Sequence, residues 1–426
     1  MYRSFLSSLA LGVALFAGAQ QQVHQVFALS EGYYDYINGG GQLVPVTLGS
    51  YDPIAGTYTT VVTISGPRFG SDVLVDGGSV YVAADDRILR YDANTYAETG
   101  MTLIQGVRKL AVWGDRLLLT RGELGGLDHY FEVRDKQTLD LLWTLEPTDG
   151  LTMSAEDVVV VGDMAYLAVN NAFDWANLVG KVGVVDLLAQ TYADEIDLGA
   201  NGLNPEKLFV VDGALHSFNN TDFSGSSISA IDLGGAGLTY THDVALNSGC
   251  SASAYAEGKI YFMEYSQNEL ARYALSTASV LDTLTGSPAV YGLIEDPINH
   301  VLYATTTDFF STGDLLVLNA DGSTISSVPA AMSAGNLALD IRLSTGVVEP
   351  VKDRIALYPN PAMEEITLSF TGAPVVSIAI MDAAGRVVKR VGTNNTLTQR
   401  IAVGELAPGS YTVHALGHAP VRFVKR

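Results

Sequence analysis

Aromatic rings set beside amides and carboxylates are the groups this sequence offers to a ligand. Five short stretches carry them: Glu31-Gly32-Tyr33-Tyr34-Asp35-Tyr36-Ile37-Asn38, Asn170-Asn171-Ala172-Phe173-Asp174-Trp175, Asn219-Asn220-Thr221-Asp222-Phe223, Glu264-Tyr265-Ser266-Gln267-Asn268 and Thr307-Asp308-Phe309-Phe310. Rings supply flat apolar faces, while amides and carboxylates supply directional hydrogen bonds. That mixture suits a sugar or a planar macrocycle. Arg68 and Arg108, in segments joining one repeat to the next, add cations for an anionic group. The candidate ligand-binding residues are therefore Tyr33, Tyr34, Tyr36, Arg68, Arg108, Phe173, Trp175, Phe223, Tyr265, Phe309 and Phe310. The structural alternative is that these rings pack beneath their own loops.

No motif demands that the chain be an enzyme. Neither the G-x-S-x-G elbow nor H-E-x-x-H occurs, and no cofactor is implied. The histidines His24, His129, His216, His242, His300, His414 and His418 show no metal spacing. One cysteine, Cys250, excludes an intramolecular disulfide and reads as a small core hydrophobe. Asp85-Asp86 is an acidic pair without EF-hand order, so it reads as turn chemistry and no metal is assigned.

The elements that position these residues form an internal repeat. An apolar strand ends in a residue-Asp pair, a short turn follows, and a Thr-rich strand comes next. The copies are Tyr51-Asp52, Tyr91-Asp92, Arg134-Asp135, Val185-Asp186 and Ile231-Asp232, with Tyr273-Ala274 and Leu318-Asn319 keeping the position without the Asp. Successive steps are 40, 43, 51, 46, 42 and 45 residues. An Asp at a strand end bonds the backbone of the following turn, which gives these aspartates a structural role. A second anchor precedes them, an apolar strand, a turn and another apolar strand, as in Asp72-Val73-Leu74-Val75 before Ser79-Val80-Tyr81-Val82. It recurs from Lys109, Asp157 and Lys207.

A period of this length with four strands per unit is that of propeller blades. The fold expected is all-β, a seven-bladed β-propeller over 20–348 followed by a small Ig-like antiparallel β-sandwich over 349–426. The first copy lacks an inner strand, with Phe27-Ala28-Leu29 expected as its second strand and Leu43 to Thr47 as its third. Asn336 to Ile341 is expected to supply the missing strand and close the ring, since an open ring leaves an unpaired edge. The loop between second and third strands emerges on the same face as the blade-joining loop, which gathers the aromatic stretches on one face.

Charge separates the two parts. The segment Gln20 to Val348 holds 40 acidic and 14 basic residues, a net of −26, while Glu349 onward holds 6 acidic and 9 basic. A body this acidic repels a phosphate backbone, so nucleic acid is excluded as a partner. Met1 to Ala19 reads as a signal peptide, with Arg3, an apolar Phe5 to Phe16 and Ala17-Gly18-Ala19 before cleavage. No other long apolar run occurs, so no transmembrane segment is expected.

Near the C-terminus stand Leu357-Tyr358-Pro359-Asn360-Pro361, Asp382-Ala383-Ala384-Gly385-Arg386-Val387-Val388, Leu406 to Val413 and Val421 to Arg426. These motifs, in this order, closely resemble the type A sorting domain of the type IX secretion system. The resemblance implies type IX secretion machinery and a sortase-like peptidase as partners, passage across the outer membrane, and a cell-surface or extracellular location. The body resembles the seven-bladed, quinoprotein-like surface propellers of Bacteroidetes, some of which capture cobalamin or similar planar ligands.

The sequence thus describes a secreted, surface-displayed propeller that captures a small ligand or glycan through its aromatic loops. Two other classes stand beside it. One is a propeller hydrolase or lyase with a metal in the central channel, which needs Asp, Asn, Glu or His side chains converging on the axis. The other is an adhesive surface protein with no small ligand.

Overall fold

In the computed structural model, residues 20–38, 40–221, 225–235, 237–244, 252–344, 355–370, 377–383, 386–392, 396–415, 418 and 420–426 are described. The expected signal peptide, Phe223, Cys250 and the boundary at Val348 and Glu349 lie outside them. The chain divides into two compact units, one spanning Gln21–Leu343 and the other including Ser344–Arg426.

Seven four-stranded antiparallel sheets make up the first unit among the described residues. Six are contiguous in sequence: blades 2 (72–103), 3 (107–144), 4 (155–197), 5 (205–243), 6 (253–283) and 7 (292–329). Blade 1 takes Gln20–Ser30, Val46–Asp52 and Thr57–Ile64 from the start of the unit and Ala334–Ser344 as its inner strand. The ring is therefore closed by its last strand, as the unpaired first repeat requires.

The burial pattern explains why the repeat reads as it does. Within blade 2, Val80, Val82 and Ala84 pack with Phe27, Leu29 and Leu48 of blade 1, while Tyr81 and Ala83 face Val107, Leu117 and Leu119 of blade 3. Successive side chains of a strand point to opposite faces, so a second strand wedged between neighbours is apolar on both. The outer strand Thr57–Ile64 is exposed at half its positions and fully buried only at Ile64, so it is Thr-rich rather than continuous apolar.

The aspartates that mark the repeat act as turn caps. The Oδ1 of Asp52 accepts from the Ile54 and Ala55 amides at 2.8 and 2.9 Å. Asp92, Asp135 and Asp186 accept from the amides two and three residues on, at 2.8 to 3.0 Å. Asp232, the weaker copy, accepts one amide, from Gly234.

One strand expectation is corrected. The third strand of blade 1 is Val46–Asp52, not Leu43 to Thr47. Pro45 offers no N–H to the ladder and separates that strand from Gln42–Val44, which pairs instead with Tyr33–Tyr34 in a two-stranded hairpin. Gly32 makes the turn into this hairpin at φ +70°, where an added Cβ would stand 2.3 Å from the Val44 carbonyl.

The second unit is a sandwich of a three-stranded sheet and a four-stranded sheet. Ile366, Leu368 and Phe370 alternate into its core with Ile378, Ile380, Val413 and Phe423. His414 lies on the strand Gly409–Ala415, so it and His418 do not share a helix face.

Candidate functional site

The inner strands of blades 2 to 5 begin with polar or charged residues that meet at the mouth of the central channel. Blade 2 brings Ser71 and Asp72, blade 3 Arg108 and Lys109, blade 4 Glu156 and Asp157, and blade 5 Glu206 and Lys207. In blades 3, 4 and 5 the register shifts at this point, between Val107 and Leu110, Ala155 and Val158, and Pro205 and Lys207. A bulge breaks the strict alternation of a strand, so two successive side chains can be re-aimed together. That accounts for paired charges reaching one channel.

Contacts across the ring fix this arrangement. Lys109 Nζ donates to the Ser71 carbonyl at 2.7 Å and to Oδ1 of Asn336, on the inner strand of blade 1, at 2.6 Å. Asp72 accepts the Leu110 amide at 2.8 Å, and Asp157 accepts the Leu208 amide at 2.8 Å, so each carboxylate ties its blade to the next. Lys109 stands 3.8 Å from Asp72 and Lys207 3.6 Å from Asp157. Arg108 donates from Nε and Nη2 to both oxygens of Glu156 at 2.9 and 2.8 Å, a bidentate pair. Its guanidinium lies between the rings of Phe69 and Phe173, 5.9 and 5.4 Å from their centroids.

Five carboxyl groups (Glu31, Asp72, Glu156, Asp157 and Glu206) thus share the mouth with three cations (Arg108, Lys109 and Lys207). Their protonation follows from who is paired. Burial raises Glu156, but Arg108 beside it outweighs burial and holds its pKa below the ordinary value. Lys207 is raised first by the charge of Asp157. Glu206 is pushed up to about 8, by burial first and then by the Glu156 charge, against the hydrogen bond it accepts from Asn220 Nδ2 at 3.1 Å. At neutral pH Glu206 is therefore mostly an uncharged acid. Burial raises Glu31 as well, against the Tyr291 hydroxyl that donates to its Oε1 at 2.5 Å and the more distant Arg108 and Lys109.

The predicted aromatic residues gather beside this mouth in part. Tyr33 meets Phe310 with ring centroids 6.2 Å apart, Tyr34 meets Tyr36 at 4.8 Å, and Phe309 meets Tyr291 edge-on at 5.0 Å. Burial raises the Tyr36 hydroxyl, and the charges of Arg68, Asp85 and Glu31 also act on it. Phe173 covers Gly122, where an added Cβ would come within 2.4 Å of its ring. Trp175, on the short 3-10 turn Trp175–Asn177, and Tyr265, in the turn after Lys259–Glu264, stand exposed in separate loops of blades 4 and 6.

Both arginines are taken by the chain's own carboxylates. Arg68 donates from its backbone amide and its guanidinium to Asp85 and also bonds Glu123, and it lines an open cleft of about 580 Å³ with Leu103 and Leu124. Arg108 lies within the inner strand Val107–Trp113 rather than in a blade-joining loop, because the bulge there turns it inward. Asp86 holds Arg87 at 2.7 Å. Among the described residues no three His, Cys, Asp or Glu side chains converge closely enough to hold a metal ion.

Sequence reasoning missed Glu31 as a site residue, and it missed Tyr291, Phe69, Glu156 and Glu206. The signal for the last two was present, since Arg108-Lys109, Glu156-Asp157 and Glu206-Lys207 hold the same place in successive repeats.

The comparisons with known proteins agree with this architecture. Residues 356–422 match the secretion system C-terminal sorting domain. Hydrazine synthase of Kuenenia stuttgartiensis is similar in structure, with a TM-score of 0.54 at 13% identity over 65% of this chain and 96% of that one. The extracellular domain of BT4673 from B. thetaiotaomicron gives 0.55 at 12% identity over 94% of this chain, which spans 57% of that chain. At such identities the likeness is one of fold. No curated protein matches in sequence. Fold and tail together define a class, the secreted β-propellers that carry a C-terminal sorting domain.

Proposed function

We propose that the protein is a surface-displayed or released binding propeller that captures a small ligand or glycan at the mouth of its central channel. The observation that carries this reading is the grouping of rings, exposed Tyr33 with exposed Phe310 and half-buried Tyr34 with exposed Tyr36, beside a channel lined by acids, amides and cations. Exposed aromatics on loops held by a rigid scaffold are what a ligand face needs, because the rings are ordered before the ligand arrives. The N-terminal segment serves as the export signal. The tail hands the chain to the type IX machinery, and a sortase-like peptidase removes it at the cell surface. The basic tail beside an acidic cargo gives the transport receptor a charge to distinguish.

Thermal unfolding of the full chain against glycans, corrinoids, porphyrins and Ca²⁺ tests the binding reading. A ligand that binds only the folded state adds about 2.7 kcal/mol at a hundredfold excess over its Kd, a rise of several degrees in Tm. The expected result is a rise with one ligand class that disappears in Tyr34→Ala or Tyr33→Ala. A rise that survives both substitutions places the site elsewhere, and no rise with any ligand favours an adhesive surface protein.

A further inference from the structure

The loops of blades 1 and 7 close a small circuit at the edge of the channel mouth. Glu31 is bonded to the Tyr291 hydroxyl, Tyr291 meets Phe309 edge-on, Phe310 follows in the chain and meets Tyr33, and Gly32 leads back to Glu31. The ring of Tyr291 packs onto Gly335 of the closing strand, where an added Cβ would stand 2.6 Å from it. A chain of contacts thus links one carboxyl group to four aromatic rings, directly through Tyr291, and three of the rings are exposed: Tyr33 is 37% exposed, Phe309 47% and Phe310 75%.

The loop that presents two of these rings is held in an unfavourable conformation. Phe309 has φ +66°, in the left-handed region that a bulky residue avoids at about 1–2 kcal/mol. Thr307 Oγ1 accepts the Phe309 amide at 2.8 Å, and Asp308 accepts the amides of Phe310 and Ser311 at 2.8 and 2.7 Å. The loop is braced to keep its rings outward. Local strain of this kind collects at binding sites.

We infer that this corner binds the ammonium group of a small organic cation, with Glu31 as counter-charge and the faces of Tyr33, Phe309 and Phe310 as walls. The inference rests on the small-ligand reading above and narrows it. Burial disfavours the Glu31 anion while the Tyr291 hydroxyl favours it, and a bound cation favours it further, so binding draws Glu31 to its charged form. Two observations and one physical principle select a cation over a neutral sugar or an anion. Glu31 has a hydroxyl partner but is in no ion pair among the described residues, and the nearest cations are engaged, Arg108 with Glu156 and Lys109 with Asn336 and Ser71. Ring faces carry negative quadrupole density and attract a cation most strongly where water is partly excluded. The propeller body has a net charge of −26, which concentrates cations near its surface and repels anions.

Isothermal titration of the full chain with choline and with 3,3-dimethylbutan-1-ol tests it, since the two probes share a shape and differ in charge. Choline is expected to bind at least tenfold more tightly than the neutral probe. Its affinity should fall at least tenfold in Glu31→Gln and in Phe310→Ala. The second variant removes a surface ring, so it keeps the test valid if Glu31→Gln does not fold. Equal behaviour of the two probes overturns the inference, as does choline binding that survives both substitutions. Binding of a neutral oligosaccharide that depends on Tyr33, with no binding of choline, also overturns it but leaves the small-ligand reading standing. Binding of neither probe overturns it too, and the thermal panel then decides the broader reading by itself.

Discussion

Glu206 shows how a single carboxyl group takes its chemistry from its neighbours. Its amide partner Asn220 stabilises the anion, but burial and the Glu156 charge outweigh that bond. The folded pKa is about 8, whereas an unfolded glutamate titrates near 4.5. The folded state therefore holds a proton that the unfolded state releases as pH rises above 4.5. Stability from this group is greatest below pH 4.5 and is lost progressively up to about pH 8. Glu206→Gln mimics the protonated form, so it should leave stability nearly unchanged at pH 4.5 and raise it by about 4 kcal/mol at pH 8. Urea unfolding at the two pH values measures the difference, and a variant equally or less stable at pH 8 would sink the assignment. This environment was only half legible in sequence. The repeat placed Asp72, Lys109, Asp157 and Lys207 at equivalent positions, and the preceding charges of Arg108, Glu156 and Glu206 could be read beside them. Their convergence could not, because it depends on bulges, and a bulge leaves no residue signature in Val107-Arg108-Lys109-Leu110 or Ala155-Glu156-Asp157-Val158.

Strands were the most legible elements, because a blade strand packed on both faces must be apolar without interruption while the outer strand need not be. The closing strand was visible for a related reason: Asn336 to Ile341 reads as an inner strand with no blade of its own, and the first repeat lacks one. What the sequence hid was how that strand is locked. Asp340 is buried and accepts from Gln25 Nε2 at 2.8 Å and from Arg342 Nε at 2.9 Å. Gln25 also donates to the Ala93 carbonyl at 2.7 Å and accepts from Ser50 Oγ at 2.6 Å, while Arg342 reaches Asn94 at 2.6 Å. One polar network thus joins three strands of blade 1 to blade 2. Removing the carboxylate leaves Gln25 and Arg342 without their main acceptor, so Asp340→Ala should cost about 2–4 kcal/mol. A loss under about 0.5 kcal/mol in urea unfolding would show that strand pairing alone closes the ring. Leu43-Val44 reads as the start of the third strand of blade 1 but belongs to the hairpin with Tyr33–Tyr34, since Pro45 breaks the ladder without breaking the apolar pattern.

At the scale of the whole chain, two units differ in fold, a propeller and a small sandwich. The tail motifs stood out as sequence because a compact sandwich with fixed turns tolerates few solutions, and residues 356–422 match the sorting family directly. The propeller face is harder to read, since loops share no pattern from blade to blade and their meeting depends on ring geometry. Tyr33 and Phe310 are far apart in sequence and in contact in the fold. If the tail directs export, a chain ending at Val348 should accumulate inside the outer membrane while the full chain reaches the surface or medium. Cell fractionation reads this, and equal export of both chains would contradict the role given to the tail.

The proposed binding place is the mouth of the channel, on the face carrying the aromatic loops. Amide hydrogen exchange of the full chain, with and without a ligand that raises its Tm, tests this most directly. Binding at the mouth is expected to slow exchange in 31–38, 67–70 and 306–313. Slowing confined to the aspartate-capped turns at 53–56, 93–97 and 136–140, with the aromatic loops unchanged, would contradict it.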